Sequence, residues 1–260
     1  MAKRRQFKVV PKFSDFNLLV AELCAIDLWN GINFENGKKR EISDEELLSD
    51  FASKFYKLVK NSSSKNLIAE VLIRRLIRAA KIKALFRSKN PLDFKRGIRC
   101  IAKNTVKFYK NRSQTTNFET QAILELGEHF VKPIKNPTRN GNFRVALASR
   151  ILFFAIPNMQ FFNFSNILAE KMLFQKRPQA SIYFFNESLK KGLKKNIGLN
   201  KMKLPPPSFM KPALYKKIYK TKWWQRRVLD LALLLYFKVF NARNELKKKA
   251  SQILLRKTKK

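Results

Sequence analysis

Between Asn142 and Phe174 the chain reads NFRVALASRILFFAIPNMQFFNFSNILAEKMLF, its densest run of aromatic and aliphatic residues. A stretch of this kind must be buried, so it fixes where a core has to form. Val145, Ala148, Ile151, Leu152 and Ala155 recur at helical spacing, and Pro157 closes the helix because it lacks an N–H and restricts the residue before it. A second helix is expected from about Ser165.

With 260 residues, 45% of them hydrophobic, the chain is long enough for one large domain or two small ones around a real core. Its charge is less ordinary. There are 56 basic and 18 acidic residues, a formal net charge of +38, which repels itself strongly unless a polyanion offsets it. Nucleic acid is the foremost such partner and an anionic membrane surface the competitor, yet no apolar run approaches the roughly 20 residues that span a bilayer. The best candidate, VLDLALLLYF at 228–237, is too short and contains Asp230. The opening MAKRRQFKVVPKF has a basic cluster with no apolar segment after it, so no signal peptide is expected. Cys24 and Cys100 supply neither a disulfide framework nor a metal quartet, which points to a reducing compartment, the cytoplasm.

Charge also divides the chain. From Phe13 to Val59 nine Asp or Glu face five Lys or Arg. Two helices are expected here, the first from an N-cap at Ser14 to about Asn30, with Leu18, Leu19, Glu22, Leu23 and Ile26 on its buried face and Trp29 closing it. Gly31, Asn36 and Gly37 mark a loop. The second helix opens on Ser43, Asp44, Glu45 and Glu46, a capping box at the positive helix end, and continues through Leu47, Leu48, Phe51 and Phe55. This acidic segment, 13–59, is the expected surface for a protein partner or for self-association.

Past the polar break at 61–64 the sign reverses, with fifteen basic residues and two acidic ones from Ser64 to Arg112. Ala69, Leu72, Ile73, Leu76 and Ala80 fall on one helical face, and Arg74, Arg78 and Lys81 on the other. After Pro91, Phe94, Ile98, Ile101, Thr105 and Phe108 line one side of a helix while Arg96, Arg99, Lys103, Lys107 and Lys110 line the opposite side. Five cations thus share a stripe about 21 Å long at 1.5 Å per residue. Such a stripe suits a phosphate backbone, because each neutralised phosphate releases condensed counterions. A solvated helix face is the ordinary alternative, but no acids appear at i,i+4 spacing to relieve the repulsion within the stripe.

Residues 116–131 form a short amphipathic helix with Glu125, Glu128 and His129, the sole histidine; with no second histidine and no cysteine nearby, no metal site is expected. Beyond Arg177-Pro178, SIYFFNESLKKGLKKN predicts a helix with Lys190, Lys191, Lys194 and Lys195 at the end that its dipole favours. Pro205, Pro206 and Pro207 make a connector pinned by Phe209 and Met210. A last helix is expected from about Lys222, apolar all round between Val228 and Phe240, with Asp230 paired to Arg226 or Arg227. Trp223 and Trp224, beside Arg226 and Arg227, offer rings for stacking bases, although tryptophans in such a place more often join the core. The end, LKKKASQILLRKTKK, reads as a fraying basic tail.

Ser149-Arg150-Ile151-Leu152-Phe153-Phe154, followed by Pro157-Asn158 and Ser165, resembles the helix-to-loop junction of helical DNA glycosylases of the 8-oxoguanine type, notably a divergent bacterial group. About 20 of the 260 residues carry the resemblance. It implies an all-helical, DNA-binding architecture. That family carries an aspartate just before the serine, where this chain has Phe164 preceded by Asn163, and its glycine-rich hairpin has no counterpart among the seven glycines here. Any base-excision chemistry would therefore rest on another carboxylate, Asp230 or Glu125. No phosphate-cradling glycine loop, GxSxG elbow, HExxH or zinc spacing is present, and no cofactor is expected.

The expectation is an all-α protein of about nine helices, with an acidic N-terminal helical region (1–60), a basic helical body (61–250) and a basic tail (251–260). Its leading function is binding of nucleic acid, DNA before RNA, through Arg74, Arg78, Lys81, Arg96, Arg99, Lys103, Lys107, Lys110, Trp223, Trp224, Arg226 and Arg227. A glycosylase-like enzyme and a structural subunit of a nucleoprotein assembly are the alternatives.

Overall fold

A computed structural model describes residues 10–39, 54, 70–71, 73–74, 91–110, 118–129, 142–156, 159–172, 178–196 and 224–258. Among them the protein is all-α, with eight helices and no strand beyond a single antiparallel bridge between Ile32 and Lys39. In chain order these are α1 (Asp15–Trp29), α2 (Pro91–Lys110), α3 (Phe118–His129), α4 (Asn142–Ala155), α5 (Asn166–Lys171), α6 (Pro178–Asn196), α7 (Trp224–Tyr236) and α8 (Asn244–Thr258). Apart from Lys54, which is helical and exposed, the acidic second helix expected at 43–55 lies outside the described residues, as does the proline connector.

The chain divides into two compact units. A terminal unit holds Met1–Glu46, Glu170–Leu173 and Glu187–Lys260, and a central unit holds Leu47–Ala169 and Phe174–Asn186. In the terminal unit α1 packs against both α7 and α8. Ser14 caps α1, its Oγ accepting the Asn17 N–H at 3.3 Å. The single buried face expected for this helix is too narrow a description. Every residue from Leu18 to Asp27 is buried, Glu22 and Asp27 included, because neighbours cover α1 on all sides. The loop after it turns on Gly31 and Gly37, both at positive φ, where only glycine is unstrained.

Asn196, at the end of α6, fastens the N-terminal segment. Its Oδ1 accepts the Phe13 N–H at 2.6 Å, while its Nδ2 donates to the carbonyls of Pro11 at 2.8 Å and Gly192 at 2.9 Å. Gly192 is where the segment and helix come closest, since a Cβ there would stand 2.5 Å from Val10 Cγ1.

The segment 244–258 is not a fraying tail. It forms α8, whose Leu246 and Ala250 are buried. Leu246 and Ala250 lie one helical turn apart, so they present one apolar edge to α1. α7 ends earlier than the apolar pattern suggests. Lys238 takes a left-handed conformation, φ 53°, while its N–H reaches the Leu235 carbonyl at 3.0 Å and the Val239 N–H reaches that of Leu234 at 2.9 Å. This is a Schellman cap with lysine in the place that favours glycine, at a backbone cost of roughly 1–2 kcal/mol.

In the central unit α2, α3 and α4 pack on one another. Val145, Ala148, Ile151, Leu152 and Ala155 are buried as their spacing requires, and so are Ser149, Phe153 and Phe154, so α4 is covered on more than one side. Ser149 Oγ donates to the Ala146 carbonyl at 2.9 Å and accepts the Phe164 N–H at 2.9 Å, which ties the loop after α4 back onto the helix. Ser165 then opens α5, its Oγ accepting the Leu168 N–H at 3.4 Å.

Candidate nucleic-acid interface

α2 places the cationic stripe. Ile98, Ile101, Thr105 and Phe108 are buried, with Ala102 and Val106 beside them, and Thr105 hides its hydroxyl by donating to the Ile101 carbonyl at 2.7 Å. Burial of that side turns Arg99, Lys103 and Lys107 outward, and all three are exposed. Lys103 and Lys107 stand one turn apart, and among the described residues no carboxylate pairs with either. α2 also carries Arg96 and Lys110. The placement of these two side chains, and of Arg78, Lys81 and Trp223 altogether, lies outside what the structure describes.

The stripe is not wholly uncompensated. Glu70, 7% exposed, accepts Arg74 Nη2 at 2.8 Å through one oxygen and Arg99 Nε at 3.3 Å through the other. The charge pattern of the sequence does not single out Glu70, although its i,i+4 spacing to Arg74 is a visible signal. Its bond with Arg99 spans 29 positions and no local pattern announces it. Arg74 and Arg99 therefore serve first to satisfy a buried carboxylate, while Lys103 and Lys107 remain open among the described residues of the stripe.

Three further candidates are buried or partly buried. Trp224 is 2% exposed, edge-on to Trp29 with ring centroids 6.5 Å apart, so it offers no face to a base. Arg226 is 3% exposed. Arg227 has a side chain only 13% exposed and holds Asp230 Oδ2 at 2.9 Å. Asp230 is the partner of this arginine inside the terminal unit, which is the ion pair its spacing implies. Glu125 lies on α3 with its Oε1 accepting Gln121 Nε2 at 2.9 Å on the exposed side of the helix.

At the position where the glycosylase resemblance expects an aspartate, Phe164 is 8% exposed and its ring meets Phe185 at 5.0 Å. The position is filled with packing. In the segment expected to dock a partner, α1 is buried from Leu18 to Asp27, while Glu35, Asn36, Lys38 and Lys39 in the loop after it are exposed.

Two perturbed titratable groups belong to the core of the terminal unit. Burial pushes the Cys24 thiol up to about 12, with the nearby Asp27 carboxylate adding to the rise. Burial also raises Asp27, and the Arg243 guanidinium, 2.8 Å away, pulls in the opposite direction. Helix ends and an apparent tail conceal other exposed cations: Lys191, Lys194 and Lys195 on α6, and Lys247, Lys248 and Arg256 on α8. Among the described residues no group of three or more metal-ligating side chains occurs, and no helix is long and apolar enough to cross a membrane. Compared with protein-family models, curated proteins and solved structures, the chain matches none.

Proposed function

We propose that this protein binds nucleic acid, DNA before RNA, by its sugar-phosphate backbone, and that the exposed side of α2 is the binding surface. The observation that carries the reading is the pair Lys103 and Lys107, exposed one turn apart above a buried apolar face and without a carboxylate partner among the described residues. A like-charged i,i+4 pair weakens a helix, and a polyanion laid along it removes that penalty. A net charge of +38 supports the same partner, since a fold with this excess gains from any phosphate it neutralises. The preference for DNA rests on the resemblance at Ser149–Phe154. Binding of this type fixes position without reading sequence, so affinity is expected to vary little between duplexes of different sequence.

The test is filter binding of a DNA duplex over a range of salt concentrations. Lys103→Gln/Lys107→Gln is expected to weaken binding and to reduce the slope of log K against log salt by about 1.8, two phosphates at roughly 0.9 each. Lys103→Glu/Lys107→Glu is expected to abolish binding at moderate salt. Unchanged affinity and slope in both variants would reject α2 as the interface.

A further inference from the structure

The terminal unit carries a half-open pocket of about 230 Å³ where the end of α7, the turn after it and the start of α8 meet α1. Its walls combine three kinds of group. Tyr236 and Phe240 line it and stay 55% and 37% exposed, although Phe13 braces the first edge-on at 5.8 Å and Phe34 the second at 5.9 Å. Asn17 and Asn241 bring exposed side-chain amides. Lys238 and Lys247 bring two exposed ammonium groups, and no Asp or Glu is among the lining residues.

We propose that this pocket receives a nucleotide, its base against Tyr236 and Phe240 and its phosphate at Lys238 and Lys247. Each wall selects for one part of that ligand. Exposed rings already held by other rings present flat faces that need no reordering, and a base can stack on them whatever its identity. The amides supply donors and acceptors for a base edge. A purely apolar ligand would leave the amides and both cations unused, and an acidic peptide would leave the rings unused. The volume is below the ~300–1,000 Å³ of pockets that enclose a whole drug-sized ligand, so one flat ring system fits and the sugar-phosphate stays at the rim.

Lys238 adds an independent reason. A lysine held at φ 53°, in a cap position that favours glycine, is strained backbone that puts an ammonium at the pocket wall. A lysine near the end of α7 also complements the helix dipole, and that role would appear in stability but not in ligand affinity. The site is separate from the α2 reading and does not depend on it.

The experiment titrates the full chain with 5′-AMP, adenosine, inorganic phosphate and an octanucleotide of single-stranded DNA, followed by calorimetry and NMR. AMP is expected to bind more tightly than adenosine, and phosphate alone more weakly than either. Tyr236→Ala is expected to lower AMP affinity about tenfold, within the range of a lost base stack. Lys238→Gly relieves the strained cap, so the protein is expected to melt no lower than the parent while AMP affinity falls toward that of adenosine. In the Lys103→Gln/Lys107→Gln background AMP binding is expected to persist. There, tighter binding of the octanucleotide than of AMP, lost with Tyr236→Ala, assigns the pocket to an unpaired base in a strand, and the reverse order assigns it to free nucleotide. Absence of AMP binding, or wild-type affinity in both Tyr236→Ala and Lys238→Gly, overturns the proposal.

Discussion

Arg243 Nη2 stands 2.8 Å from Asp27 Oδ2, an ion pair between residues 216 positions apart that locks the entry of α8 to the end of α1. The Arg243 N–H also reaches the Phe34 carbonyl at 3.1 Å, and its guanidinium fills the space beside Gly37, where a Cβ would come within 2.5 Å of Nη1. One side chain thus gathers α1, the loop after it and α8. Arg243→Ala is expected to lower the free energy of unfolding by about 3 kcal/mol, because a buried carboxylate is then left without its counter-ion. Asp27→Ala/Arg243→Ala is expected to lose less than the sum of the two single variants in urea melts. Strict additivity would mean that the pair is not coupled.

Cys24 gives the terminal unit a signature at alkaline pH. In the unfolded chain the thiol ionises near its ordinary value of 9.0, whereas in the fold it stays protonated to about 12. Between these values the unfolded state binds fewer protons than the folded one, so stability falls as pH rises through that window. The difference in unfolding free energy between the parent and Cys24→Ala is expected to be level below pH 9 and to move against the parent from about pH 9 to about 12. A difference that stays level across the whole range would show that Cys24 ionises freely in the fold.

Glu70 makes a prediction of opposite sign to the lysines of α2. Glu70→Gln removes the carboxylate that holds Arg74 and Arg99, leaving both guanidinium groups free to meet phosphate. Affinity for duplex DNA is expected to rise severalfold and the salt slope to steepen by about 0.9 for each additional phosphate neutralised. The stability cost is expected to be small, about 1 kcal/mol, since the Arg99 side chain is 59% exposed and such pairs contribute little. A fall in affinity at unchanged stability would place the nucleic acid elsewhere.

Gly192→Ala reverses the usual helix rule. Alanine within a helix is ordinarily worth roughly 0.5–1 kcal/mol over glycine, but here its Cβ meets Val10 atoms at 2.5, 2.7 and 2.9 Å. The substitution is expected to destabilise by about 1–3 kcal/mol as the N-terminal segment is forced off α6. Val10→Gly/Gly192→Ala is expected to be less destabilised than additivity predicts, and thermal melts of the four proteins test it.

What the sequence makes legible is local. The cap at Ser14, the buried side formed by Ile98, Ile101, Thr105 and Phe108, and the helix from Val145 to Ala155 all follow from spacing within one element. What it hides depends on residues far apart in the chain. Nothing near Trp224 says that Trp29 lies against it, so a core ring and a base-stacking ring read alike. The lysines of α8 obscure Leu246 and Ala250, whose one-turn spacing is the available sign of a packed helix. Lys238 stands inside an apolar run, and only its backbone conformation reveals that α7 stops before it. For the candidate site, spacing shows which side of α2 faces out, while the bond from Arg99 to Glu70 belongs to tertiary structure.

The packing of α1 on α7 and α8 has a consequence for synthesis. The α7 and α8 residues that cover Leu18 to Asp27 are made long after α1, whereas α2, α3 and α4 are close in sequence and can assemble while translation continues. A nascent chain therefore keeps one of its greasiest helices uncovered until α7 and α8 have emerged.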